Sequence, residues 1–203
     1  MNKIDFKKEL KQLYNPPSKK AMIVNVPKMN FLMADGKGNP KTSKKYNEAV
    51  EALYAVSYTL KFLIKKGKMA LDYGVMPLEG LWWVDDMTKF SVENKDIWKW
   101  TAMIMQPEFV TEEMFTEAKK QVEEKKNLPG LSRIRFESFI EGLSAQIMHI
   151  GNYSEEGPTI EKLHKFIHEN GHELSGKHHE IYLSDPHKAA PDKMKTVIRQ
   201  PVK

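Results

Sequence analysis

Histidine, carboxylate, phenol and hydroxyl recur at alternate positions in the stretch His178–His179–Glu180–Ile181–Tyr182–Leu183–Ser184–Asp185. Ile181, Tyr182 and Leu183 favour extended backbone, and Asp185–Pro186 ends it. Side chains alternate across a strand, so His178, Glu180, Tyr182 and Ser184 share one face and His179, Ile181, Leu183 and Asp185 the other. A buried Glu180 needs a partner, because a bare carboxylate in a dry site is costly. A cationic ligand, or a reaction that moves a proton, supplies the reason for one. The ordinary alternative is a rim strand with Glu180 in water. Leu78–Glu79–Gly80–Leu81–Trp82–Trp83–Val84 repeats the theme, one carboxylate in an apolar strand. Trp98 and Trp100, two apart on an extended stretch, make a flat platform. The alternative for them is plain packing under a helix.

Other chemistries find little support. Histidines 178 and 179 are adjacent and point to opposite faces. His164 and His168 share a helix face, but Lys165 stands where a zinc-protease motif has glutamate, so no metal site is expected. No Gly-x-Ser-x-Gly elbow occurs. The chain has no cysteine, which excludes disulfides, thiolate zinc sites and cysteine nucleophiles. Asp35–Gly36–Lys37–Gly38–Asn39–Pro40 lacks the ending of a phosphate-binding loop and reads as an ordinary turn.

The elements that must position these residues are legible in outline. The 203 residues, 40% hydrophobic, suffice for one large domain or two small fused units. The stretch 1–20 reads as a short amphipathic turn or helix closed by Pro16–Pro17. Strands are expected at Ala21–Val26 and Met29–Ala34, with Met29, Phe31 and Met33 on one face. A helix capped by Thr42 or Ser43 runs to Lys66. Tyr46, Val50, Leu53, Ser57, Leu60 and Ile64 form its stripe, with Tyr54 and Tyr58 beside it. Met69–Val75, Leu78–Val84 and Ile97–Met105 read as strands. A second helix starts at Thr111 and fades by Lys126. Arg135–Ile140 and Leu143–Ile150 read as a hairpin around Glu141–Gly142, followed by a Gly151–Gly157 loop and a helix over Pro158–Asn170. The tail 187–203, with Lys193, Lys195 and Arg199, is expected to wrap the surface. Two units with the order strand, glycine loop, helix, strand with a central glutamate emerge. They span about 19–106 and 132–186, with a connecting helix at about 111–126, all in one domain, 1–203. Two such units side by side leave a cleft at their axis.

The motifs Pro77–Leu78–Glu79–Gly80–Leu81–Trp82–Trp83, Trp98–Lys99–Trp100, Gln146–Ile147–Met148–His149–Ile150–Gly151–Asn152–Tyr153, His178–Pro186 and Lys195–Thr196–Val197–Ile198–Arg199 together resemble the GyrI-like small-molecule-binding domain, in its stand-alone branch without a DNA-binding region. The resemblance covers nearly the whole chain. It implies an α+β fold of duplicated βαββ-type (SHS2-like) units about a pseudo-twofold axis, with antiparallel sheets, helices on one side and a ligand cleft between the repeats. In drug-sensing relatives an acidic residue in an aromatic pocket pairs with lipophilic cations, and Glu180 holds the matching position. Some stand-alone members are described as hydrolases that open the cyclopropane of DNA-alkylating natural products.

Three functions follow from these readings. A binding module for a flat, apolar, cationic drug or xenobiotic would use cation–π contact and charge pairing. A cofactor-independent hydrolase would use Glu180 as base and Tyr182 as donor to a developing oxyanion. A gyrase-type protein-interaction module is the third. The expected pocket residues besides Glu180 and Tyr182 are Glu79, Trp82, Trp83, Trp98, Trp100, Phe31, Met33, Tyr58 and His178. No metal, cofactor or direct nucleic-acid partner is expected, since no helix-turn-helix, zinc finger or basic stripe occurs. The N-terminus lacks an apolar signal region and no run approaches membrane-spanning length. A cytoplasmic monomer or homodimer is the expectation.

Overall fold

The computed structural model describes residues 3–90, 94–185 and 188–203. Its elements are β1 (Lys3–Ile4), α1 (Phe6–Glu9), α2 (Lys11–Tyr14), β2 (Met22–Lys37), α3 (Lys44–Lys66), β3 (Asp72–Tyr73), β4 (Leu78–Trp83), β5 (Lys99–Gln106), α4 (Glu112–Lys125), β6 (Arg135–Ile150), α5 (Gly157–Glu169), β7 (His178–Tyr182) and β8 (Lys195–Pro201). β1 and β3 form a small parallel pair. The other six strands form one antiparallel sheet closed on itself, in the order β2-β5-β4-β7-β8-β6.

Two 16-residue strands close the barrel. β2 pairs with β6 from Met22 to Met33, while its second half also pairs with β5. The expected strands at 21–26 and 29–34 are one strand. The expected hairpin at Glu141–Gly142 is likewise the interior of β6, because β2 accompanies β6 past that point in constant register. Gly142 takes a φ of +76° there, a conformation glycine enters without penalty. The C-terminal stretch does not wrap the surface. Thr196, Val197, Ile198 and Arg199 of β8 are buried in the barrel wall. Pro186 and His187 lie outside the described residues.

Helices α3 and α5 cover one face of the sheet, the outside of the barrel, since a six-stranded barrel has no room for a helix within. Ser43 caps α3 by accepting from the Tyr46 amide, and Ala52, Leu53, Val56 and Leu60 are its fully buried stripe. Leu163 and Ile167 of α5 pack on Ala145, Ile147 and Ile198. Trp100 lies across Gly36 of the neighbouring strand, where a Cβ would come within 2.1 Å of the indole.

The inner face carries a buried charge network. His179 Nδ1 lies 2.9 Å from Glu141 and its Nε2 3.0 Å from Glu79. Arg199 donates to Glu141 at 3.0 Å, to Gln146 at 2.9 Å and to the Leu13 carbonyl at 2.7 Å. Tyr14 donates to Glu79 at 2.7 Å. Burial alone would raise the Glu141 pKa, but the charges of His179 and Arg199 outweigh it and bring it to about 2. Burial alone would lower that of His179, but the charge and hydrogen bond of Glu141, aided by Glu79, bring it to about 9. Two acids and two bases neutralise each other, and the network ties β4, β6, β7, β8 and the N-terminal segment together.

The stability that His179 adds is complete below its ordinary value of 6.5 and is lost as pH rises through about 9. The stability gap between the parent and His179→Gln, measured by urea unfolding, should therefore shrink over that window. A gap that does not change with pH would contradict the charged network.

Candidate functional site

β4 and β7 run side by side in the barrel wall, with Leu78 opposite Tyr182, Gly80 opposite Glu180 and Trp82 opposite His178. These residues share the face that looks out towards the helices. A cleft of about 670 Å³ opens over it, between α3 and the turn that leads into α5. Tyr46, Tyr54 and Tyr58 supply one wall, Tyr153 and Glu156 the other, and Trp82, Glu180 and Tyr182 the floor. Trp82 folds back over Gly80, where a Cβ would lie 2.7 Å from its indole nitrogen. Glycine at 80 thus lets the indole lie beside Glu180.

Glu180 is 8% exposed and both its oxygens are engaged. His178 Nε2 lies 3.1 Å from Oε1, and the Tyr182 hydroxyl donates to Oε2 at 2.6 Å. Burial pushes this carboxyl up, but the His178 hydrogen bond and charge, with the Tyr182 bond, outweigh it and hold it below the usual range. Glu156 lies in the same cleft in the opposite state. Burial, then the charge of Glu180, push its pKa up to about 9. Two carboxyls in one apolar site resist ionising together, and the environments favour the charge on Glu180 and the proton on Glu156. Glu156 Oε1 is buried with no hydrogen-bond partner among the described residues. Burial raises the Tyr182 and Tyr46 hydroxyls, with Glu180 adding to it, so both remain protonated.

The cleft brings together Glu180, Tyr182, Trp82, Trp98 and Tyr58 of the residues expected there. His178 stands behind Glu180 as its hydrogen-bond partner. Glu79 belongs to the inner network instead, because Gly80 and not Glu79 pairs with Glu180. Phe31 and Met33 share that inner face: Met33 pairs with Met103, which pairs with Glu79. Trp100 is buried beneath Tyr46, the ring centres 5.0 Å apart. Trp83 faces a second, more open cleft of about 800 Å³, with the Lys177 ammonium 3.5 Å from its ring centre. Three of the six cations that line that second cleft are in ion pairs, Arg133 with Glu48, Arg135 with Asp35 and Lys99 with Asp85.

A profile of the GyrI-like small molecule binding domain matches residues 20–203. The chain belongs to the GyrI-like small-molecule-binding family. This GyrI-like chain is similar to an uncharacterized conserved protein from Listeria innocua, with 44% identity, a TM-score of 0.91 and coverage of 99% of this chain and 100% of that one. It is similar to a hydrolase encoded by lin2189 from Listeria innocua, again at 44% identity, with a TM-score of 0.88 over 100% of both chains. The EcmrR C-terminal domain, 12% identical with a TM-score of 0.55 over 91% of this chain and 97% of that one, shares the fold. No curated protein matches.

Several residues of the GyrI-like cleft are missing from the sequence-based set, among them Tyr46, Tyr54, Tyr153, Glu156 and Lys95. The helix pattern marks the first two only as a stripe residue and its neighbour. Glu156 precedes α5 in a glycine-bounded turn, and no local pattern distinguishes it from a solvated loop acid.

A pKa raised in the fold gives stability that is complete below the ordinary value of 4.5 and is lost as pH rises through about 9. Glu156→Gln removes that loss, so its stability relative to the parent should grow across this window in urea unfolding. Infrared difference spectra at neutral pH should show a protonated carboxyl in the parent that Glu156→Gln lacks. An ionised Glu156 at neutral pH would overturn the assignment.

Proposed function

We propose that this protein binds a flat, apolar molecule between α3 and the turn that leads into α5 and adds water to it, without a cofactor, opening a carbonyl-conjugated cyclopropane. The observation that carries the reading is the carboxyl pair in the aromatic cleft, Glu180 with a donor on each oxygen and Glu156 with a buried, unpartnered oxygen. Such a pair separates the roles of base and acid at one pH. The 44% identity over full length to a hydrolase supports it.

In the proposed reaction Glu180 takes a proton from water, and the water oxygen bonds to a ring carbon. One ring carbon–carbon bond breaks, and its electron pair passes through the conjugated system to the carbonyl oxygen. That oxygen takes a proton from Glu156. The sum is addition of one water, and proton exchange with solvent restores both carboxyls. Tyr182 would act as a positioning residue, since its hydroxyl proton is already given to Glu180. His178 holds the other oxygen. Trp82, Trp98 and the tyrosines of α3 would hold the flat substrate, and ring strain lowers the demand on the acid and base.

We read residues 1–203 as a single domain built from two βαββ units. The order β2-α3-β4-β5 followed by β6-α5-β7-β8 supports this, as does the mirrored arrangement β2-β5-β4 and β7-β8-β6 in the barrel. On that reading the second unit includes β8, and the cleft sits where β4 meets β7.

Incubation with a cyclopropane-bearing alkylator, followed by mass spectrometry, should yield product heavier by one water at catalytic turnover. Glu180→Gln should lower the rate by about two to four orders of magnitude, the usual range for loss of a general base. Intact compound bound at one equivalent would instead make the protein a sequestering module.

A further inference from the structure

The cleft that holds Glu180 is not an acidic one. Its walls carry three carboxyls, Glu156, Glu180 and Asp185, and three lysines, Lys7, Lys41 and Lys95. The lysines thus match the carboxyls in number. Lys95 is the one placed among the aromatic rings. Its ammonium lies 4.7 Å from the centre of the Trp98 ring, cation–π range. Phe90 stacks on the same indole, centres 4.7 Å apart and planes inclined by 19°. Trp82 packs beside it at 5.4 Å. The charge of Lys95 acts on both Glu180 and Glu156.

A pocket that takes a lipophilic cation offers it two things, an open aromatic face and a carboxylate short of partners. Here the Trp98 indole, the aromatic face beside Trp82, already has an ammonium and a phenyl ring against it, so a ligand cation would have to use the tyrosine walls under the repulsion of Lys95. Both Glu180 oxygens are already hydrogen-bonded to His178 and Tyr182. A ligand cation would have to approach Lys95 in a partly buried site, where like charges repel more strongly than in water.

We infer that Lys95 is a specificity-determining residue that fills the cation position of the cleft from within, so that the site takes flat, neutral molecules carrying an acceptor oxygen and rejects lipophilic cations. This rests on the reading of the cleft as the ligand site. The unpartnered Glu156 Oε1 and the Lys95 ammonium are the groups available to such an oxygen.

The test uses a matched pair of probes, triphenylphosphine oxide (neutral, with an acceptor oxygen) and tetraphenylphosphonium (cationic). Each is titrated calorimetrically into the full-length parent, Lys95→Met and Lys95→Arg. The parent should bind the neutral probe at least tenfold more tightly than the cation. Lys95→Met should shift that ratio at least tenfold towards the cation, and Lys95→Arg should keep the parental preference. Binding of the cation by the parent as tightly as the neutral probe would overturn the proposal and leave the ligand site standing, as would a ratio unmoved in Lys95→Met. Failure of both probes to bind any of the three proteins would remove the ligand-site reading and this inference with it.

Discussion

Everything in the cleft depends on where β7 points its alternate side chains. His179 turns into the barrel and is fixed between Glu79 and Glu141, with Arg199 completing the charge balance. Its neighbour Glu180 is thereby turned outward. A slip of one residue in the pairing of β7 with β4 or β8 would drive Glu180 inward and leave Glu79, Glu141 and Arg199 without the imidazole. Removing one member of a buried ion network leaves an uncompensated charge and costs about 3–5 kcal/mol. The inner network therefore acts as a register lock. It fixes the strand that carries Glu180 while itself staying on the opposite face.

The outer face uses the same economy. Glycines at 36 and 80 leave room for Trp100 and Trp82 to lie flat on the sheet, and α3 then rests Tyr46 against both indoles. The floor of the cleft is thus rigid and apolar around one carboxylate. A carboxylate in such a place would ordinarily take up a proton. His178 and Tyr182 prevent that for Glu180, and the burden falls on Glu156 instead. Two residues of the same type are pushed in opposite directions, because hydrogen-bond donors hold Glu180 down while burial and the charge of Glu180 push Glu156 up.

Much of this was legible in the sequence where the information is local. The α3 stripe and its serine cap, the apolar strand with Glu79, and the alternation that separates His179 from Glu180 all depend on neighbours a few residues apart. The family motifs pointed to Glu180 in an aromatic cleft. What was not legible depends on pairing between distant strands. Glu79 and Glu180 looked equivalent, but a register that sets Gly80 against Glu180 puts the two acids on opposite faces. Phe31 and Met33 fell to the inner face for the same reason. Gly142 reads as a turn until β2 is known to run beside it on both sides. The tail at 195–201 reads as basic and exposed, but Arg199 is 1% exposed because two buried acceptors and Glu141 await it. Glu156 was invisible because burial of a turn residue is decided by what packs over it.

On the proposed mechanism, water activated by Glu180 adds directly to the bound molecule. A single turnover in water enriched in oxygen-18, with protein in excess over a cyclopropane-bearing alkylator, tests it. Direct addition puts the heavy oxygen in the ring-opened product and none in the protein. Unlabelled product from the first turnover, with label appearing in the peptide that carries Glu180, would mean that the carboxylate attacks the ring itself and would rule out direct addition of water.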